Sequence, residues 1–440
     1  MSPEKPTQVR HTIVAVTTMT AVLLYLDRVC IAEIAKLDEF QKTLGLTKQE
    51  TGYVMSAFFF AYALGQVPAG WLSDKFGARG MMSFYIALWS LCTALTGFAG
   101  GFVSLVIARM GFGLAQAGAY PASNGLVRLW TPLAARGKAS SIVSLGGRLG
   151  GAIAPALTAW LLSDLLGWRA VLLLYGVSGL LVAGVFWWLF RNSPVDHPMC
   201  NEAERRLILE GSPAPAAVGT AAPRFPWREL LCSWSMWLMC VLQWGVNIGW
   251  VFLVSWLPTY LKDVKGVDPR TAGMMSTIVL LSGMVGMLVG GWLTDWLVQR
   301  VGLRWGRAIP LIGTKFAAVL AYLACLWLES PWAIVAALSL VAFTTDLGVP
   351  AVWAYIQDVG GRFSSTIFGW ANMWGNFGAA LTPALIPWVL ETYDTDKNWH
   401  EAFLLCAAGF LVAAVAAFGI NADKTIGSRA EASGQAKLPC

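Results

Sequence analysis

The sequence predicts an all-α integral membrane protein, with twelve transmembrane helices arranged as two six-helix halves. Three features point there: a very apolar composition, apolar runs that recur at bilayer length, and one long polar interruption near the middle. Hydrophobic residues make up 57% of the 440 residues, charged residues 13%, and the mean hydropathy is +0.60. A soluble domain is about a quarter charged. No single soluble core could hide this much apolar surface, so lipid must be the solvent for much of it. The 23 tryptophans suit headgroup level, where an indole meets both lipid and water.

A hydrocarbon core of about 30 Å takes about 20 helical residues to cross. Runs of that length fall at 12–34, 51–72, 81–99, 102–127, 139–162 and 170–190, and again at 235–261, 271–293, 308–328, 332–355, 365–390 and 402–420. Their length makes them helices, since a lone spanning strand would leave its backbone groups unsatisfied in lipid. The first run carries Asp27-Arg28 where a cleavable signal would be uninterruptedly apolar, so it reads as a span. Between the sixth and seventh runs lies a polar stretch, with Glu202-Ala-Glu204-Arg205-Arg206 followed by the Pro/Ala/Gly-rich 211–223. The predicted layout is an N-terminal half, 1–190, a cytoplasmic linker, 191–230, a C-terminal half, 231–422, and a cytoplasmic tail, 423–440.

The halves resemble each other. Gly70-Trp-Leu-Ser-Asp74 is echoed by Gly291-Trp-Leu-Thr-Asp295, Gly65 by Gly286, and Gly147, Gly150 and Pro155 by Gly375, Gly378 and Pro383. Such internal repeats are expected of transporters whose halves rock about a central site. Most basic residues fall on segments that share a side with both termini. The outward loops hold only Lys36, Lys42, Lys48, Arg169, Lys262, Lys265, Arg270 and Lys397. Positive charge stays inside, so both termini are expected in the cytoplasm and the protein in a cell (inner) membrane.

Several classes are set aside. The net charge of +6 sits in short loops rather than in a patch or tail, so no nucleic-acid partner is expected. The eight cysteines are scattered without a C-x-x-C pair, and the three histidines (His11, His197, His400) form no catalytic or metal set. Neither enzymatic activity, a metal nor a cofactor is expected.

Charges within the spans carry the functional signal. Each costs about 2.5–3.5 kcal/mol at bilayer depth on the insertion scale, so it should face the bundle interior. Arg28 lies beside Asp27 and one turn from Tyr25; Arg109 shares a helix face with Gln116; Arg148 shares one with Ser141 and Ser144. The second half offers mainly amides, Gln243 and Asn247, then Asn372 and Asn376, with Asp346 just before Gly348-Val-Pro350. Guanidinium forks suit carboxylates, and amides suit the hydroxyls beside them. The competing reading is that an arginine merely pairs with Asp27 or Asp346 to hold helices together. Lys315 is read as snorkelling to the cytoplasmic end of its helix.

The run Gly70-Trp-Leu-Ser-Asp74-Lys75-Phe-Gly77-Ala-Arg79 resembles the loop signature of the major facilitator superfamily. Tyr25-Leu-Asp27-Arg28, Tyr62-Ala-Leu-Gly-Gln66-Val-Pro68, Arg109 with Gly113 and Pro121, Trp256-Leu-Pro258-Thr-Tyr260, Trp353 and Asn372 make nearly the whole chain similar to its anion:cation symporter branch, home of bacterial galactonate, hexuronate and glucarate carriers. The resemblance implies the major facilitator fold and alternating access. It implies a substrate site at Tyr25, Arg28, Tyr62, Arg109, Trp353 and Asn372, to which the charge pattern adds Arg148, Gln243 and Asn247. It further implies a conformational latch at Gly70, Asp74, Lys75, Gly77 and Arg79, and proton coupling at Asp27; the charge pattern adds Asp346 as the alternative proton site. Gln116 stands where these relatives carry a titratable Glu, and Arg148 where they carry an amide. Both departures make the cavity more positive and point to a more anionic substrate.

The expected function is secondary active transport of a small organic anion, a sugar acid or other mono- or dicarboxylate, with H+ as coupling partner and a monomer as the working unit. The alternative is a transport-derived sensor that binds a carboxylate without net flux. The short tail and linker offer no signalling domain to support it.

Overall fold

The computed structural model describes residues 5–164, 166–209, 225–394 and 398–427. The linker stretch 211–223, Lys397 and most of the tail lie outside the described residues. Contacts divide the chain into two units. One comprises the chain before Phe225 together with Arg362–Gly369; the other comprises Phe225–Gly361 and the chain from Trp370 onward.

In the first unit, α1 (Val9–Ile34) is followed by the short α2 (Asp38–Leu44), α3 (Lys48–Phe76) and α4 (Ala78–Thr96). Then come α5 (Phe102–Ala117) and α6 (Ala119–Trp130), α7 (Arg136–Asp164), α8 (Trp168–Leu189) and the short α9 (Glu202–Leu209). The predicted fourth span is thus two half-helices parted at Gly118. Pro121 explains the break, because it has no N–H to give the carbonyl four residues back. Gly77, at φ 88°, turns the chain between α3 and α4, a conformation that favours glycine.

In the second unit, α10 (Trp227–Leu231) precedes α11 (Trp234–Val251), which runs through a π turn at Phe252–Trp256 into α12 (Leu257–Asp263). α13 (Pro269–Ala324) is one hydrogen-bonded stretch but two spans, since Gly302 at φ 81° bends it. α14 (Pro331–Leu347) and α15 (Val349–Gly360) part at Gly348, followed by α16 (Ser364–Tyr393) and α17 (His400–Phe418).

Eight described helical stretches are long and apolar enough to cross a membrane. Two of these, Pro269–Ala324 and Pro331–Tyr393, each hold two spans, and α3 and α4 complete twelve. The helices overrun the apolar runs that predicted them. α3 covers 48–76 where hydropathy marks 51–72, because a helix continues past the hydrocarbon boundary for as long as its backbone bonds are satisfied. Large exposed side chains such as Phe60, Phe98, Trp188 and Leu320 mark surfaces suited to lipid.

The sequence repeat is also a packing repeat. α3 packs on α5 and α4 on α8 in the first unit; α13 packs on α14 and α17 in the second. A methyl at Gly65 would lie 2.9 Å from Ala117 Cβ, and one at Gly286 would lie 2.9 Å from Phe343 Cα. Each glycine therefore lets a helix pair approach more closely than any side chain would allow.

Candidate functional site

The predicted residues of the first unit gather around a buried ring. Phe58, 1% exposed, carries the guanidinium of Arg28 at 5.1 Å and that of Arg109 at 4.9 Å from its centroid. Arg28 also lies over Tyr25 at 4.9 Å and Tyr62 at 4.5 Å, while Arg109 lies over Phe112 at 4.8 Å. Aromatic faces stabilise a desolvated cation without consuming its N–H groups. Neither arginine forms an ion pair among the described residues. Nη2 of Arg28 and Nε of Arg109 are buried without hydrogen-bond partners. Two cations with unspent donors beside one aromatic ring have the chemistry that a bound anion would need.

Gln116 determines how Arg28 sits. Its Oε1 accepts from Arg28 Nε at 3.0 Å, and its Nε2 donates to the Leu24 carbonyl at 2.9 Å, tying α5 to α1. Asp27 points elsewhere, since adjacent helical residues diverge by about 100°. Its Oδ2 accepts from Trp89 Nε1 on α4 at 2.9 Å, and its Oδ1 has no partner. The competing Arg28–Asp27 pair is therefore not what the structure contains. Arg148 lies on α7 beside the glycine face against Tyr25, where a methyl at Gly147 would come within 2.9 Å of the Tyr25 ring.

The second unit gathers its own polar set. Asn247 Nδ2 donates to the Gln243 carbonyl at 2.7 Å, and Gly375 on α16 lies so close that a methyl there would stand 3.0 Å from Asn247 Nδ2. One turn before it on α16, the Asn372 carbonyl accepts from Asn376 Nδ2 at 2.7 Å. Trp353 is buried in α15.

The five loop residues separate into three environments. Asp74 accepts from the backbone N–H of Ser365 (3.2 Å) and of Thr366 (2.8 Å) and from Thr366 Oγ1 (2.6 Å), at the start of α16. Free N–H groups at a helix start make a ready carboxylate acceptor site. Gly70 permits that approach, because a methyl there would stand 2.9 Å from Thr366 Cα. Gly77 and Arg79 instead meet the end of α8. The Arg79 backbone N–H donates to Asn192 Oδ1 at 3.0 Å, and its guanidinium donates to the Trp187 carbonyl at 2.9 and 2.7 Å. Lys75 stacks on Trp71 at 4.6 Å.

Three further features were not legible from hydropathy. Lys315 does not snorkel: it is 2% exposed, because its face of α13 meets α14 and α17 rather than the membrane surface. Arg307, fully buried, bonds Asp358 at 2.8 Å and lies 3.7 Å from Asp295, so the second copy of the loop aspartate has a side-chain cation where Asp74 has a helix end. Glu204, in the acidic-basic patch, caps α1. It accepts from the Thr7 hydroxyl, from the N–H of Val9 (3.2 Å) and Arg10 (3.0 Å), and from Arg10 Nη1 (3.0 Å). Hydropathy was blind to these because it ignores which face of a helix is covered.

A twelve-span helical protein with unpaired cations inside its bundle has the build of a membrane carrier. The chain belongs to the Major Facilitator Superfamily, whose sequence profile matches residues 17–383, and so is a transporter of that fold rather than an enzyme. It is 31% identical over 435 residues to a probable sulfoacetate transporter, SauU, of Cupriavidus necator, covering 97% of each chain. It is 29% identical over 408 residues to the probable galactarate/D-glucarate transporter GudP of Escherichia coli, covering 89% of each. Among solved structures it resembles the proton:xylose symporter XylE with a TM-score of 0.71 at 14% identity, covering 96% of this chain and 99% of that one. That likeness speaks to the fold alone.

Proposed function

We propose that the protein carries a small doubly anionic molecule, a dicarboxylate sugar acid or a sulfonate-carboxylate, across the cell (inner) membrane by alternating access. The supporting observation is the Arg28–Phe58–Arg109 cluster, in which two guanidiniums without carboxylate partners share one ring. The substrates in the relatives' names, sulfoacetate and galactarate or glucarate, each bear two acidic groups. Arg148 adds a third cation on α7. Tyr25 and Tyr62 line the cluster, and Gln243, Asn247, Trp353 and Asn372 supply the amide and indole groups of the second half.

The coupling proton is carried by Asp27, whose Oδ1 is unpartnered. Asp74 with Gly70 forms the latch that rocking makes and breaks, and Lys75, Gly77 and Arg79 support its loop. The halves 1–190 and 231–422 move about the 191–230 linker, with both termini cytoplasmic, as a monomer. The test is uptake into proteoliposomes of matched mono- and dianions: sulfoacetate against acetate, glucarate against gluconate. Preference for the dianions is expected; equal or better uptake of the monoanions would overturn the charge assignment.

A further inference from the structure

The break between α14 and α15 in the second unit is occupied by a cation that belongs to the chain. Lys315 lies midway between the Gly302 bend and Ala324, 2% exposed, so its ammonium cannot reach water along its own stem. Its Nζ donates to the Thr345 carbonyl at 3.4 Å, in the last turn of α14, and stands 6.0 Å from the ring of Phe410 on α17. Asp346, wholly buried, lies within its electrostatic reach. Two glycines clear the space: a methyl at Gly348 would fall 2.7 Å from Nζ, and one at Gly283 would fall 2.8 Å from Asp346 Oδ2. Pro350 lacks the N–H that would bond the carbonyl of Asp346, and the backbone acceptor that meets this ammonium is the adjacent Thr345 carbonyl.

The carboxyl end of a broken half-helix beside a buried carboxylate is the chemistry by which transporters bind a monovalent metal ion. We propose that the Lys315 ammonium is a tethered substitute for such an ion. It fills the place sodium would take between the α14 end and Asp346, so transport needs no alkali cation. Lys315 is then a positioning residue that holds the break in its working shape. This rests on the transport reading above and adds the ion requirement of the second half.

The experiment compares sodium chloride, potassium chloride and choline chloride media, using sulfoacetate and glucarate as probes in proteoliposomes. Native uptake is expected to be equal in all three. Lys315→Ala should lose about a hundredfold in choline, the scale of one unbalanced buried charge, and regain several-fold in sodium. Sodium should also raise the melting temperature of detergent-solubilised Lys315→Ala and leave the native protein unchanged. Lys315→Arg, which keeps a tethered cation, should stay indifferent to sodium. Sodium-dependent native uptake, or a folded Lys315→Ala indifferent to sodium in both uptake and melting, overturns the proposal. If Lys315→Ala does not fold in either salt, sodium-dependent melting of Lys315→Gln decides. If the native protein carries neither probe, the transport reading fails, and the melting comparison alone still judges this one.

Discussion

Arg28 donates its Nε to Gln116 Oε1 at 3.0 Å, and the same amide returns a hydrogen bond to the Leu24 carbonyl at 2.9 Å. The amide orients the guanidinium without neutralising it. With glutamate at 116, an ionised carboxylate would lie within ion-pair distance of Arg28 and compete with the substrate. Gln116→Glu should therefore weaken dianion uptake at neutral pH and recover it as pH falls, because protonation removes the competing charge. The check is the pH profile of uptake; a variant with the native profile would contradict this.

Arg28→Ala and Arg109→Ala should each abolish uptake while the protein stays monodisperse in detergent. Lysine at either position should rescue poorly, since it offers a point charge in place of a planar fork that also stacks on Phe58. Near-normal uptake by Arg109→Ala would remove it from the anion site.

Asp27→Asn keeps an oxygen for the Trp89 indole at 2.9 Å, so the fold should survive. It removes the titratable group. Exchange of internal for external substrate should persist, while accumulation driven by a pH gradient should vanish. Retained accumulation would move the coupling proton elsewhere. Arg148→Gln should shift preference from doubly toward singly charged anions, read as the ratio of the two uptakes.

Asp74→Asn loses the charge that the first amides of α16 hold at 3.2 and 2.8 Å. Helix-end charge interactions are typically worth about 0.3–1 kcal/mol, up to about 2 when partly buried. The transport rate should fall, with equilibrium affinity for substrate within a few-fold of native. Large loss of affinity at unchanged turnover would assign Asp74 to binding instead of the latch.

Glu204→Gln keeps one acceptor oxygen but turns the other into an amide NH2, set against the N–H of Val9, which Oε2 now accepts, or that of Arg10, which Oε1 now accepts. Leaving such buried groups unpaired costs about 1–3 kcal/mol. The melting temperature should drop, and uptake by the folded fraction should stay near native.

Much of the molecule was legible in the sequence. Twelve apolar runs of bilayer length allow only helices, and the paired Gly-Trp-Leu-Ser/Thr-Asp segments at 70–74 and 291–295 announce two related halves. Arg28, Arg109, Asp27 and Asp346 stood out because ionised groups are costly in lipid wherever they point. The tertiary structure decided what each charge meets. Asp27 and Arg28 are neighbours in the chain yet bind Trp89 and Gln116, because the helix sends them in different directions. Asp74 and Asp295 sit in matching segments, but one meets a helix start and the other meets Arg307. Lys315 reads from its composition as a residue bound for the membrane surface, yet α14 and α17 close over it. Hydrophobic patterning selects the segments that leave water, a property of each stretch alone. The partner of a buried charge depends on which helices pack around it, and only the folded chain settles that.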